Sequence, residues 1–146
     1  MSWVLASDHA AVDMRQALGA WLKSQGEEVL DLGPDVNDSV DYPDKADDLC
    51  QALLAGKASY GVLLCGSGIG VSIRANRYKG IRAAVVHNAQ TAKLAKAHNN
   101  ANVLCMGARI ISVDEAQTCL EAFYKTHFEG GRHARRVDKL DTEVTC

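Results

Sequence analysis

The sequence of 146 residues predicts one doubly wound, mostly parallel α/β sandwich. Three observations predict it. Short apolar runs alternate with longer segments of helical period, five times over. The run Gly61-Val62-Leu63-Leu64-Cys65 is apolar without a break, as expected for a strand covered on both faces. No internal repeat, linker or low-complexity segment divides the chain, and its length suits a single core.

Each element has a local cause. Trp3 to Ser7 reads as the first strand. Ala11, Met14, Leu18, Trp21 and Leu22 then recur at spacings of three and four, giving a helix one apolar face that Gly26 ends. Glu28 to Leu32 reads as the second strand, and the polar loop Gly33 to Ser39 follows it. Pro43 suits the first turn of a helix reaching Leu54. The third strand ends at Cys65, and residues 68 to 76 form a helix. Arg82 to Val86 is the fourth strand. Asn88 caps a helix reaching His98. Val103 to Met106 is the fifth strand. Ser112-Val113-Asp114-Glu115 is a capping box that opens the last long helix, with Ala116, Cys119, Leu120 and Phe123 facing inward. The basic tail Gly130-Gly131-Arg132-His133-Ala134-Arg135-Arg136 leaves the domain through two glycines.

Composition narrows the function classes. The net charge of −2 gives no electrostatic case for nucleic acid or an anionic membrane. No apolar run approaches membrane-spanning length, and Trp3 to Ser7 is too short for a signal-peptide core. Cysteines at 50, 65, 105, 119 and 146 are odd in number and show no Cys-x-x-Cys spacing, which points to a reducing cytoplasm.

In open α/β sheets, ligands bind beyond the carboxyl ends of the strands, where strand order reverses. The first strand delivers Ser7-Asp8-His9 to that edge, and the third delivers Cys65-Gly66-Ser67-Gly68-Ile69-Gly70. Asp8, His9 and Cys65 are therefore expected in one crevice. Glycines at alternate positions let backbone N–H groups approach an anionic oxygen, and a thiol beside them is a candidate thiolate. Cys50, Cys105, Cys119 and Cys146 read as packing or terminal residues. The loop is neither a Walker motif nor a first-strand dinucleotide fingerprint, and the next arginine, Arg74, is too distant for a small tyrosine phosphatase. His87 and His127 read as isolated. His9 and His98 fall at sheet-edge loops, where an imidazole can exchange a proton near neutrality. No pair of histidines has zinc-helix spacing and no Cys/His cluster suggests a closed metal site, so neither metal nor cofactor is expected. Arg132 and Arg136 share a face if the tail is helical, and with Arg109 they could surround one phosphate.

Ser7-Asp8-His9-Ala10, Asp41-Tyr42-Pro43, Cys65 to Gly70, Gly80-Ile81-Arg82-Ala83, His98 to Val103, Gly107-Ala108-Arg109 and Gly130-Gly131-Arg132-His133 with Arg136-Val137 together resemble type B ribose-5-phosphate isomerases, of the ribose/galactose isomerase family. They stand in family order across nearly the whole chain. The resemblance implies a Rossmann-like α/β/α sandwich with a five-stranded parallel sheet of order 2-1-3-5-4. It implies a homodimer, or a dimer of dimers, that interconverts ribose 5-phosphate and ribulose 5-phosphate through a cis-enediolate. Cys65 matches the base, and Ser67 stands where many members have a threonine thought to relay a proton. His98 matches the ring-opening residue, with Asp8 and Tyr42 nearby. Asn99 and the N–H groups of residues 66 to 70, Gly66, Gly68 and Gly70 among them, match the enediolate hole. His9, Arg109, Arg132 and Arg136 match the phosphate contacts, the tail from 130 to 146 reaching the partner subunit.

One family branch replaces the cysteine with a glutamate just after the loop; Val71-Ser72 stands there in this chain. Galactose-6-phosphate isomerase needs two unlike subunits, whereas this chain carries the whole set. Allose 6-phosphate or another hexose phosphate is the alternative substrate. A phosphocysteine carrier is a more distant rival, since it leaves His98-Asn99 and the tail arginines unexplained. A sugar-phosphate sensor is the third class, and turnover of ribose 5-phosphate separates it.

Overall fold

The computed structural model describes residues 1–35 and 39–145. The middle of the loop from Gly33 to Ser39, and Cys146, lie outside the described residues. In chain order the elements are β1 (Ser2–Ser7), α1 (Val12–Ser24), β2 (Glu28–Asp31), α2 (Tyr42–Leu54), β3 (Tyr60–Cys65), α3 (Ile69–Ala75), β4 (Ala83–Val85), α4 (Ala89–Ala97), β5 (Val103–Gly107), α5 (Val113–Lys125) and α6 (Arg132–Leu140). A single 3-10 turn, His9–Ala11, joins β1 to α1. The five strands are parallel and ordered β2-β1-β3-β5-β4, as the resemblance implied.

Period-two alternation along the central strands divides the core into two layers. Trp3, Leu5, Val62, Leu64, Leu104 and Met106 pack on one side with α1 and α5 residues such as Leu18, Leu22, Leu120 and Phe123. Val4, Ala6, Leu63, Cys65, Val103 and Cys105 pack on the other with Leu49, Cys50 and Val71 of α2 and α3. The unbroken apolar run of β3 follows from this burial on both faces.

The helix starts follow their sequence signals. Asn88 and Ser112 each complete a reciprocal capping box, with Thr91 and Glu115. Proline occupies the first turn of α2. Several boundaries shift by a residue: β1 begins at Ser2, β2 stops at Asp31, α3 spans Ile69–Ala75, β4 is trimmed to Ala83–Val85, α4 ends at Ala97 with His98 as its C-cap, and β5 continues into Gly107. Among the described residues no helix is long and apolar enough to cross a membrane.

The tail corrects one expectation. Its two leading glycines and its basic composition suggest a segment that leaves the body of the domain. Instead α6 buries His133 and Val137, and Asp141 just beyond it pairs with Arg82 at 2.9 Å. Arg132 and Arg136 lie one turn apart on this anchored helix, and both are exposed.

Candidate active site

The parallel register sets the site. Ser7 pairs with Leu64 and Cys65 with Gly107, so β1, β3 and β5 end side by side. Asp8 N–H donates to Leu64 O at 3.1 Å, which draws the loop after β1 against the end of β3. Ala108 N–H donates to Cys65 O and Arg109 N–H to Gly66 O, both at 2.9 Å, which draws the loop after β5 to the same place. A cavity of about 600 Å³ opens there, lined by Asp8, Tyr42, Cys65, Gly66, Ser67, Ile69, Gly70, Ile73, Arg109 and Ile110. The volume suits a small-molecule ligand.

Each glycine of the loop makes room for one neighbour. At Gly66, an added Cβ would meet the Arg109 guanidinium at 3.2 Å. Gly68 has φ +78° and lies so close to Met106 that a Cβ would come within 2.8 Å of its carbonyl carbon. At Gly70, a Cβ would meet the Tyr42 ring at 2.3 Å. Gly107, from β5, faces the loop from below, where a Cβ would overlap the Ser67 backbone at 2.4 Å. The loop is therefore clamped between β5 and Tyr42.

Within the clamp, Cys65 Sγ accepts from Gly68 N–H at 3.1 Å, and Ser67 Oγ accepts from Ile69 N–H at 3.2 Å. Among the described residues, the N–H groups of Gly66 and Ser67 donate to no protein acceptor and are available to a ligand oxygen. Asp8 is 8% exposed; its Oδ1 accepts from Ala10 N–H at 2.9 Å and caps the 3-10 turn. His9 stands beside the cavity rather than in its lining. Its Nδ1 accepts from Val40 N–H at 3.3 Å, which leaves Nε2 as the ring's donor.

Cys65 differs from the other thiols in its surroundings. Burial, with the Asp47 charge adding to it, pushes the Cys50 thiol up to about 12. Burial also raises Cys105 and Cys119 above the ordinary thiol range. Those three lie wholly within the core, whereas Cys65, at the end of its strand in the second layer, also lines the cavity.

His98, Asn99, Arg132 and Arg136 do not join this cavity within one chain. The expectation that His98 has Asp8 and Tyr42 nearby fails inside a single subunit, because His98 closes α4 just before β5 begins, at the amino edge of the sheet and opposite the cavity. Asn99 lines a separate cavity of about 550 Å³ with Arg82, Ala84, Leu94 and Leu140. His98 stacks on His133 instead, with ring centroids 4.3 Å apart and planes 12° apart.

Sequence reasoning missed Arg15 and Gly107. Arg15 is fully buried beneath the site: Nη1 donates to Ser7 Oγ at 2.7 Å, and Nε lies 2.8 Å from Asp31 Oδ1 without an aligned N–H. It ties the ends of β1 and β2 together below Asp8. Its only signal was its place on the inward face of α1 with Leu18 and Leu22. Gly107 stands in the motif Gly107-Ala108-Arg109, which carries no sign of its packing against Ser67.

Known proteins share this fold. The model of the family described as Ribose/Galactose Isomerase matches residues 4–140. A probable ribose-5-phosphate isomerase B of Mycoplasma pneumoniae is 42% identical over 137 residues, covering 93% of this chain and 90% of that one. The solved ribose 5-phosphate isomerase B of Anaplasma phagocytophilum is 51% identical with a TM-score of 0.89, covering 95% of each chain. That of Clostridium thermocellum superposes with a TM-score of 0.94 at 40% identity, covering 97% of this chain and 95% of its own. The register that brings Asp8, Cys65 and Arg109 to one cavity thus belongs to a shared fold, and this chain is a member of the ribose/galactose isomerase family.

Proposed function

We propose that the chain interconverts D-ribose 5-phosphate and D-ribulose 5-phosphate through a cis-enediolate, with Cys65 as the base. The observation that carries this reading is the placement of Cys65 Sγ in a cavity shared with Ser67, Asp8, Tyr42 and Arg109, under a glycine loop with free N–H groups. The relatives' names support the pentose phosphate as substrate.

The chemistry follows from those residues. In the open-chain aldose, the Cys65 thiolate takes the proton from C2, and the C2–H electrons form the C1–C2 double bond. The carbonyl pair moves onto O1. Loop N–H groups hold the developing oxyanion, each well-placed donor contributing about 2.7–4 kcal/mol. Ser67 relays the hydroxyl proton from O2 to O1. The thiol then returns its proton to C1, giving the ketose. A positioned base contributes about 10²–10⁴-fold to such a step.

Two further parts of the reading concern assembly. His98 as ring-opening acid, Asn99 in the enediolate hole, and Arg132 and Arg136 as phosphate ligands lie outside the Cys65 cavity of their own chain. We assign them to the cavity of a second copy, in a homodimer. The mouth of the cavity supports this: Ile69, Ile73 and Ile110 are each more than half exposed around it, an apolar rim suited to a covering subunit. His9 and Arg109 complete the phosphate site from the chain that holds Cys65. Four buried free thiols support a reducing, cytoplasmic setting.

Turnover of ribose 5-phosphate, followed by the appearance of the ketose, tests the reaction. Activity that is lost in Cys65→Ala supports the proposal. A folded wild-type protein that binds ribose 5-phosphate without converting it overturns it.

A further inference from the structure

No closed metal cluster is visible in the sequence, yet the fold assembles three possible ligands, two imidazoles and one carboxylate, at one point outside the Cys65 cavity. His98 comes from the end of α4, Glu129 from the segment before α6, and His133 from the first turn of α6. Glu129 N–H donates to Ala97 O at 3.0 Å, which pins this segment beside His98. His98 Nε2 lies 3.7 Å from Glu129 Oε1, and His133 Nε2 lies 3.5 Å from that same oxygen. The three ligand atoms fall within 4.8 Å of one another.

Those separations are too long for hydrogen bonds and close to what a shared cation needs. Zinc bonds to nitrogen and carboxylate oxygen run about 2.0–2.2 Å, so neighbouring ligands of a tetrahedral ion stand about 3.3–3.5 Å apart. Both carboxylate–imidazole separations are already within a few tenths of an ångström of that. The rings are stacked nearly parallel, so one of them must turn out of the stack for both in-plane Nε2 lone pairs to meet one ion. His133 is almost buried, whereas His98 and Glu129 are partly open, which leaves a fourth position to water. Two imidazoles and one carboxylate with an open position suit zinc and its neighbours rather than magnesium or calcium, which prefer all-oxygen shells.

We propose that His98, Glu129 and His133 bind a divalent ion of the zinc class, and that the bound ion inhibits the enzyme. The binding stands on this geometry alone. The inhibition rests on the reading of His98 as the ring-opening acid. Once its Nε2 lone pair is donated to a metal, that nitrogen can neither take nor give a proton, and the ring can no longer turn toward a substrate.

The test uses the full-length protein, first stripped of metal with a chelator. Co²⁺ is titrated alone and read by its visible ligand-field bands, and Zn²⁺ is read by calorimetry and by displacement of Co²⁺. One ion per chain is expected, with tetrahedral-type bands. Losing an outer partner of a metal ligand already costs about 10–100-fold in affinity, so Glu129→Gln and His133→Asn are each expected to weaken binding at least about 10-fold. Cys65→Ala is expected to leave it unchanged. Binding that survives both Glu129→Gln and His133→Asn, or that is lost in Cys65→Ala with a sulfur-to-cobalt charge-transfer band, overturns the site. Inhibition is read separately, as the fractional loss of each variant's own rate on ribose 5-phosphate. Zn²⁺ is expected to inhibit the wild type reversibly on chelation, with the half-inhibiting concentration raised about 10-fold or more in His133→Asn. Binding at the cluster with undiminished turnover overturns the inhibitory role and leaves the site standing. The binding arm needs no turnover, so its outcome is independent of the isomerase reading.

Discussion

At the Cys65 rim, three neighbouring parallel strands deliver Asp8, Cys65 and Arg109 to one cavity, and backbone hydrogen bonds of 2.9–3.1 Å fix their spacing. At the His98 corner, the end of α4 and the whole of α6 meet mainly through side chains: stacked imidazoles, the Arg82–Asp141 pair and the buried Val137. Behind the cavity the glycine loop is tightly held, since a single Cβ at Gly68, Gly70 or Gly107 would strike a neighbour. The corner carries its charges outward, with Arg132 and Arg136 exposed on an anchored helix. A proton-transfer site needs its reacting groups held rigidly, and a sheet edge provides that. A phosphate clamp needs charge at the right distance, which an exposed helix can present to another subunit.

The largest expected effect is at the rim. Cys65→Ala should lower kcat by about 10²–10⁴-fold or more while ribose 5-phosphate still binds, because the glycine loop and the arginines remain. A near-normal kcat in the variant would remove Cys65 from the mechanism. Next, Gly70→Ala should cost about 100-fold in kcat/KM by pushing Tyr42 aside, with a crowding cost to stability of about 1–3 kcal/mol read by denaturant unfolding. An alanine accepted there without loss would mean that the clamp is loose.

The corner should respond differently. Arg136→Ala should raise KM about 10-fold or more and change kcat much less, since a charged hydrogen bond contributes about 1.5–3 kcal/mol to binding a remote phosphate. An equal fall in kcat with KM unchanged would contradict that division of roles. The smallest effect belongs to the anchor of α6. The Arg82–Asp141 pair is partly exposed, so Asp141→Asn should cost only about 0.2–1 kcal/mol in stability. It should still raise KM a few-fold if α6 presents the phosphate ligands, and an unchanged KM would detach the helix from binding.

The two regions also differed in how far the sequence disclosed them. The rim was legible because strand periodicity, the alternate glycines and the positions of Asp8 and Arg109 after their strands are all local signals. What stayed hidden was contact between segments distant in sequence. Arg15 gave no local sign that it would be buried against Ser7 and Asp31. Gly107 gave none that it would sit under Ser67. At the corner, the four-residue spacing of Arg132 and Arg136 did suggest a shared helical face. The docking of that helix depends on Arg82, His98 and Val137, which lie up to dozens of residues apart, and no periodicity reveals such pairings. The convergence of His98 with Glu129 and His133 was hidden for the same reason.

The two regions are joined, on this account, only across a subunit boundary, and complementation measures that most directly. Cys65→Ala and the double variant Arg132→Ala/Arg136→Ala are co-expressed so that subunits exchange, and the mixture is assayed at ribose 5-phosphate far below the KM of the double variant, where both parents are nearly silent. Random pairing makes half of the dimers mixed, each with one intact site of two, so about one quarter of wild-type activity should return. If the mixture stays as inactive as its parents while both parents fold and dimerise, the arginines serve the cavity of their own chain and the shared site is wrong.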